Sequence, residues 1–150
     1  MTTDQQKDHW YYDACMLERK KSDYGEMFRS HNPIIPILSH LSLGEAFAGA
    51  YRKGPEKLEA FVALIESLRL FIFVVENDGK SKLLEDIKEN FELSDTDAMH
   101  LATAISNGCV CIRTIDPDFV GLNQKILYDF GRKYGLPRLS VNNKSYANNY

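Results

Sequence analysis

The chain has 150 residues, 44% hydrophobic and 26% charged, the size and balance of one folded domain with a substantial core. A formal net charge of −3 and a sequence pI of about 5.8 argue against a protein that packages DNA or coats duplexes non-specifically. No apolar run approaches the ~20 residues that span a bilayer, and the opening MTTDQQKDHW lacks the charged-then-apolar order of a signal peptide. No membrane association is expected. Cys15, Cys109 and Cys111 are odd in number and show no disulfide spacing, so a reducing cytoplasm is the expected setting.

In chain order, residues 1–8 are polar and read as a disordered tail. His9 to Asp13 (HWYYD) reads as a short aromatic strand ending in an acid. ERKKSDYGEMFRSHN has room for a short helix, and Asn32-Pro33 marks a break. PIIPIL is extended, and Leu41 to Lys53 has helical apolar spacing at Leu43, Phe47 and Ala50. Gly54 ends that helix and Pro55 suits the first position of the next, whose stripe is Leu58, Phe61, Val62, Ile65 and Leu68. FIFVV (71–75) is β-branched and aromatic, which predicts a buried strand.

Lys80 to Phe91 predicts an amphipathic helix with Leu83, Leu84, Ile87 and Phe91 inward. Ser94 to Asn107 predicts a helix capped by Ser94 with Asp97 three residues on, and stopped at Asn107-Gly108. CVCIRT (109–114) is a strand, IDPDF a turn, 123–134 a helix and Leu139–Asn142 a last strand before a loose tail, 143–150. Strands alternate with helices. This predicts one α/β domain over residues 9–142: three layers, α/β/α, around a mostly parallel central sheet.

In parallel sheets of this kind, ligands bind beyond the C-terminal strand ends. Asp13 closes the first strand and Asp116 follows the CVCIRT strand. Asp97 and Glu45 fall in the first turns of their helices. Carboxylates gathered at one edge repel unless a hard cation relieves them, and Mg²⁺ or Mn²⁺ with their retained waters suit phosphodiester hydrolysis.

Four segments carry a resemblance. YYDAC, SHLSLGEAFAGA, DTDAMHLATAISNGC and RTIDPDF, in that order from about Tyr11 to Phe119, resemble the four motifs of the PIN-domain family, including its VapC-like ribonucleases. The resemblance implies a PIN-like fold and a metal-dependent endoribonuclease. Its acids would be Asp13, Glu45, Asp97 and Asp116, holding Mg²⁺ or Mn²⁺. Asp118 aligns with a further metal-binding acid of some members, and Thr114 would orient the site. RNA as substrate, an antitoxin protein as partner and a homodimer are likewise implied. Cys15 departs from the family pattern, which commonly has a hydroxyl there.

Each residue also has an ordinary role to weigh. Asp97 suits a helix first turn, Asp116 a turn, and Glu45 a solvated helix face. Asp95 competes with Asp97, but His100 and Ala102-Thr103-Ala104 set the register in favour of Asp97. His100 reads as a packed, hydrogen-bonded histidine rather than a ligand. Cys109 and Cys111, expected on one strand face, read as buried thiols rather than zinc ligands. Arg19-Lys20-Lys21 either steers a phosphate backbone or is a solvated charge run. Two alternatives stand beside the nuclease: a catalytically idle PIN-like module that binds RNA or protein, and a phosphate-accepting domain with one strand-end Asp. No lysine is suitably placed for the latter.

Overall fold

A computed structural model describes residues 7–29, 33–79 and 81–144. Asn32 and Lys80, read as a break and a helix start, and residues 1–6 and 145–150 of the expected tails lie outside the described residues. Five strands, all parallel, form one sheet: β1 (Asp8–Tyr12), β2 (Ile34–Ser39), β3 (Phe73–Val75), β4 (Cys109–Arg113) and β5 (Ser140–Val141), in the order β3-β2-β1-β4-β5. The helices are α1 (His40–Lys53), α2 (Pro55–Leu68), α3 (Lys82–Asn90), α4 (Asp95–Ser106), α5 (Pro117–Val120) and α6 (Gln124–Lys133). Two 3₁₀ segments, Ala14–Glu18 and Lys21–Phe28, join β1 to β2.

Short polar residues start the longer helices. Ser39, Ser81, Ser94 and Asn123 accept from the backbone N–H three residues on, in α1, α3, α4 and α6. Each such cap satisfies an orphan donor and contributes about 1 kcal/mol. Gly54, at φ +114°, turns the chain between α1 and α2, a conformation open to glycine and costly for others.

The sheet separates two cores. On one face Tyr11, Ile37 and Ile112 pack with Leu84 and Ile87 of α3, Leu101 and Ala104 of α4, and Leu127 and Phe130 of α6. On the other, Tyr12 and Leu38 pack with Met16 and Leu17 of the first 3₁₀ segment, Ala46 and Ala50 of α1, and Phe61 and Leu68 of α2. This is the expected three-layer α/β/α arrangement, and the sheet is wholly parallel.

Three local expectations are corrected. FIFVV is not a buried strand: β3 has three residues, pairs only with β2 at the sheet edge, and leaves Phe73 61% exposed. Its apolar, β-branched composition suits edge and centre alike, so composition could not separate them. Val62 of the predicted α2 stripe is exposed, because the helix buries the narrower line of Phe61 and Leu68.

Cys109 and Cys111 do not share a face. The register slips where His9 pairs with Cys109 and Trp10 with Cys111, so two residues of β4 oppose one of β1. Cys109 joins the Tyr11 core, and Cys111 follows Trp10 to the opposite side. Both remain buried free thiols, and burial pushes Cys111 up to about 12.

Gly131 of α6 is the most closely approached of the described glycines. A Cβ there would stand 2.6 Å from Leu139 Cβ and 2.7 Å from the Leu136 carbonyl oxygen. We expect Gly131→Ala to destabilise the fold by about 1–3 kcal/mol through overpacking, read as a lowered midpoint in urea.

Candidate metal centre

β1 lies at the point where the chain changes direction across the sheet. From it the chain adds β2 and β3 on one side, then crosses to add β4 and β5 on the other. The crossovers leaving β1 and β4 therefore diverge, and a crevice opens beyond those strand ends. Asp13 directly follows β1; Thr114 directly follows β4, with Asp116 two residues later.

Hydroxyls hold these acids. Thr114 Oγ1 donates to Asp13 Oδ2 at 3.2 Å and accepts the Asp116 N–H at 3.0 Å. Ser42 of α1 donates to Asp13 Oδ1 at 3.4 Å while accepting the Ala14 N–H at 2.5 Å. Asp116 Oδ1 in turn caps α5 by accepting the Asp118 N–H at 2.9 Å. The expected turn at IDPDF is thus a one-turn helix that brings Asp118 back beside Asp116.

Thr114 is itself clamped. Asn142 Oδ1 accepts the Thr114 N–H at 3.0 Å, and Asn142 Nδ2 donates to the Thr114 carbonyl at 2.9 Å. Asn142, read as the end of the last strand, instead sits just past β5 at φ +54°. Its backbone N–H still donates to the Ile112 carbonyl of β4 at 2.8 Å, and its side chain extends that pairing to Thr114. Asparagine tolerates that conformation better than most residues.

A second chain of bonds reaches Glu45. Ser39 Oγ, Tyr11 OH and His100 Nδ1 follow one another at 2.8 and 2.6 Å, and His100 Nε2 lies 2.9 Å from Glu45 Oε1. A carboxylate only accepts, so Nε2 carries hydrogen; with neutral imidazole, Nδ1 accepts from Tyr11. Tyr11, Ser39 and His100 are buried, whereas Glu45 is half-exposed. His100 thus acts by holding Glu45.

The electrostatics are strained where the acids meet. Asp97, Asp116 and Asp118 each offer a carboxylate oxygen within 4.8 Å of the others. Burial pushes the Asp97 carboxyl above its ordinary value, and the charge of Asp116 adds to this. Three hard oxygen donors in mutual repulsion suit a divalent cation of the Mg²⁺ or Mn²⁺ type, and the absence of sulfur or imidazole from the trio disfavours zinc.

Asp13, Glu45, Asp97 and Asp116 line one open cleft of about 510 Å³, which also exposes Ser42 and His100. The trio within ligand distance includes Asp118 but not Asp13 or Glu45. Asp95 points to solvent, where Lys88 at 2.8 Å holds its carboxyl below the ordinary range. At Cys15 the backbone does the work expected of a hydroxyl, its N–H lying 3.4 Å from Asp13 Oδ1. Burial and the Asp13 charge push the Cys15 thiol up to about 12.

Sequence reasoning missed Ser42, Tyr11, Ser39 and Asn142. The available signals were slight: Tyr11 shares a strand face with Asp13, and Ser42 lies three residues before Glu45, on the same side of α1.

The PIN domain family profile matches residues 28–124, about two thirds of the chain. The chain belongs to the PIN domain family. Nuclease activity is the general property of this family, and its nucleases use divalent metals. The matched span contains Glu45, Asp97, Asp116 and Asp118 but begins after Asp13, whose membership of the site rests on the Thr114 and Ser42 bonds.

Among solved structures, PAE2754 from Pyrobaculum aerophilum is similar with a TM-score of 0.53 and 21% identity, over 75% of this chain and 78% of that one. VapC20 of Mycobacterium tuberculosis, a sarcin-ricin loop cleaving toxin, gives a TM-score of 0.49 and 19% identity, over 75% of this chain and 93% of that one. PAE2754 shares the fold of this chain. No curated protein sequence matches.

The raised titration of Asp97 has a sign. Its protonated form fits the fold better, so its contribution favours folding at acidic pH and is lost as the pH rises through its titration. We expect Asp97→Asn to raise the Tm of metal-free protein at pH 7, with the gain vanishing near pH 3, measured by thermal melts in chelator. Tyr11→Phe strands His100 Nδ1 and should destabilise by about 1–3 kcal/mol, visible in urea unfolding.

Proposed function

We propose that this PIN domain is a metal-dependent endoribonuclease hydrolysing RNA phosphodiester bonds, with Asp13, Glu45, Asp97 and Asp116 as its catalytic acids and Asp118 as a further metal ligand. The convergence of Asp97, Asp116 and Asp118 within 4.8 Å at the crevice is the observation that carries this reading. A protein gains nothing in stability from crowding three carboxylates; a cation repays the arrangement.

The cation, Mg²⁺ or Mn²⁺, would lower the pKa of a bound water and neutralise charge on the phosphate. The chain's own residues set the stage. Thr114 and Ser42 aim Asp13 into the cleft, and Thr114 orients the Asp116 backbone. His100 keeps Glu45 turned inward, where it can take the proton of an attacking water. Water adds across the P–O bond: its hydroxyl joins phosphorus, and a proton leaves with the departing oxygen.

In this reading the protein acts in the cytoplasm as the toxin of a toxin–antitoxin pair and forms a homodimer. An antitoxin would silence it by covering the same cleft. Among the described residues no helix is long and apolar enough to cross a membrane.

The test is cleavage of single-stranded and structured RNA by purified protein with Mn²⁺, with Mg²⁺, and with chelator. Metal-dependent cutting is expected, with Asp116→Asn and Asp97→Asn losing at least about 100-fold and Thr114→Val about 10–100-fold. Folded protein that cuts no RNA with either metal would instead be an idle binding module.

A further inference from the structure

A second cavity adjoins the acidic cleft. It is a groove of about 230 Å³ between α1 and α2, floored by Leu17, Ala50, Phe61 and Leu64. Glu18 and Lys53 line both spaces, so cleft and groove are continuous. Three cations lie along the outer part of this path. Arg52 lines the cleft, Lys53 the junction and Lys57 the groove.

Among the described residues, Arg52 and Lys57 have no carboxylate within ion-pair distance. Lys53 has only an exposed contact with Glu18 at 3.5 Å. Exposed pairs of that kind are weak and exchange readily for other anions. The basic run Arg19-Lys20-Lys21, by contrast, is partly engaged: Arg19 pairs with Asp23 at 3.4 Å and Lys21 lies over the Phe28 ring.

We infer that the α1–α2 groove is the docking track by which single-stranded nucleic acid enters the acidic cleft. Arg52, Lys53 and Lys57 bind successive phosphates, and the apolar floor receives a base. The inference rests on the nuclease reading and adds the path of its substrate. Charge complementarity selects the occupant. A basic peptide would be repelled along the groove, whereas a polyanion with flat apolar faces matches both the rim and the floor. A basic rim also explains how an acidic protein brings a polyanion to an acidic centre. The cations act locally, within about one Debye length of ~10 Å at 0.1 M salt, where net charge matters less.

The test is fluorescence anisotropy of a labelled ten-nucleotide oligouridylate with the full chain in chelator, so that no cutting occurs, across a salt titration. Arg52→Gln and Lys57→Gln are expected to weaken binding about three- to tenfold each at low salt and to reduce the log–log salt slope by about 0.7 each. Ala60→Trp, which fills the groove from the exposed face of α2, should weaken binding, and Glu18→Gln should strengthen it by freeing Lys53. Circular dichroism checks that each variant is folded.

No measurable binding by the wild type, or unchanged affinity and slope in Arg52→Gln and Lys57→Gln, would overturn the track. So would an Ala60→Trp variant that loses a dimer in sedimentation while binding RNA normally, since the groove would then hold a second copy. The two readings fail separately. Track-dependent binding without Mn²⁺-dependent cutting would sink only the nuclease, and cutting with unchanged KM in both charge variants would sink only the track.

Discussion

Carboxylates that share a site repel, and the arrangement here depends on how that repulsion is contained. Thr114 is the central device. One hydroxyl donates to Asp13 and accepts from the Asp116 backbone, joining the ends of β1 and β4. A hydroxyl suits this position because it both donates and accepts without adding charge. Asn142 holds Thr114 by its peptide groups, so the geometry of the acids is inherited from the sheet. The neighbouring residue contributes to the same rigidity. Arg113 bonds Glu26 at 2.5 Å, Asn142 at 3.0 Å and the Asp23 carbonyl, tying the segment after Asp13 to β4.

The sheet order explains why this edge carries chemistry. In a parallel sheet every strand ends at the same side, but the loops part only where the winding reverses. β1 and β4 are neighbours there, and α1 and α4 bring Glu45 and Asp97 to the same opening. Helix α1 carries several duties at once. Ala46 and Ala50 pack into the core, Ser42 and Glu45 face the acids, and Arg52 and Lys53 rim the path outward. One helix therefore couples the position of the site to the packing beneath it.

His100 shows how a buried polar group is justified. It is nearly inaccessible, yet both ring nitrogens are engaged, one by Tyr11 and one by Glu45. A buried imidazole without those partners would cost roughly 1–3 kcal/mol. With them it becomes a strut between the core and a half-exposed carboxylate. Tyr12, the neighbour of Tyr11 on β1, points to the opposite core, so the strand serves both layers through its period of two.

The sequence by itself determined the kind and order of the elements, because helical and strand periodicities are local properties. Caps such as Ser94 and the Gly54-Pro55 junction are local as well, and they were legible. DAMHLATA and TIDPDF set register within single segments as well, and in the structure Asp97 stands beside Asp116 and Asp118 while Asp95 faces Lys88. Tertiary structure alone decided which acids meet within ligand distance, since Asp118 joins Asp97 and Asp116 through the turn of α5 while Asp13 stands beside them on Thr114. It also decided that FIFVV lies at an exposed edge and that a register slip parts Cys109 from Cys111. The Tyr11–His100–Glu45 strut and the Asn142 clamp join residues 28 to 89 positions apart, and no local pattern encodes such distances. They arise only when the strands have paired and the two cores have closed.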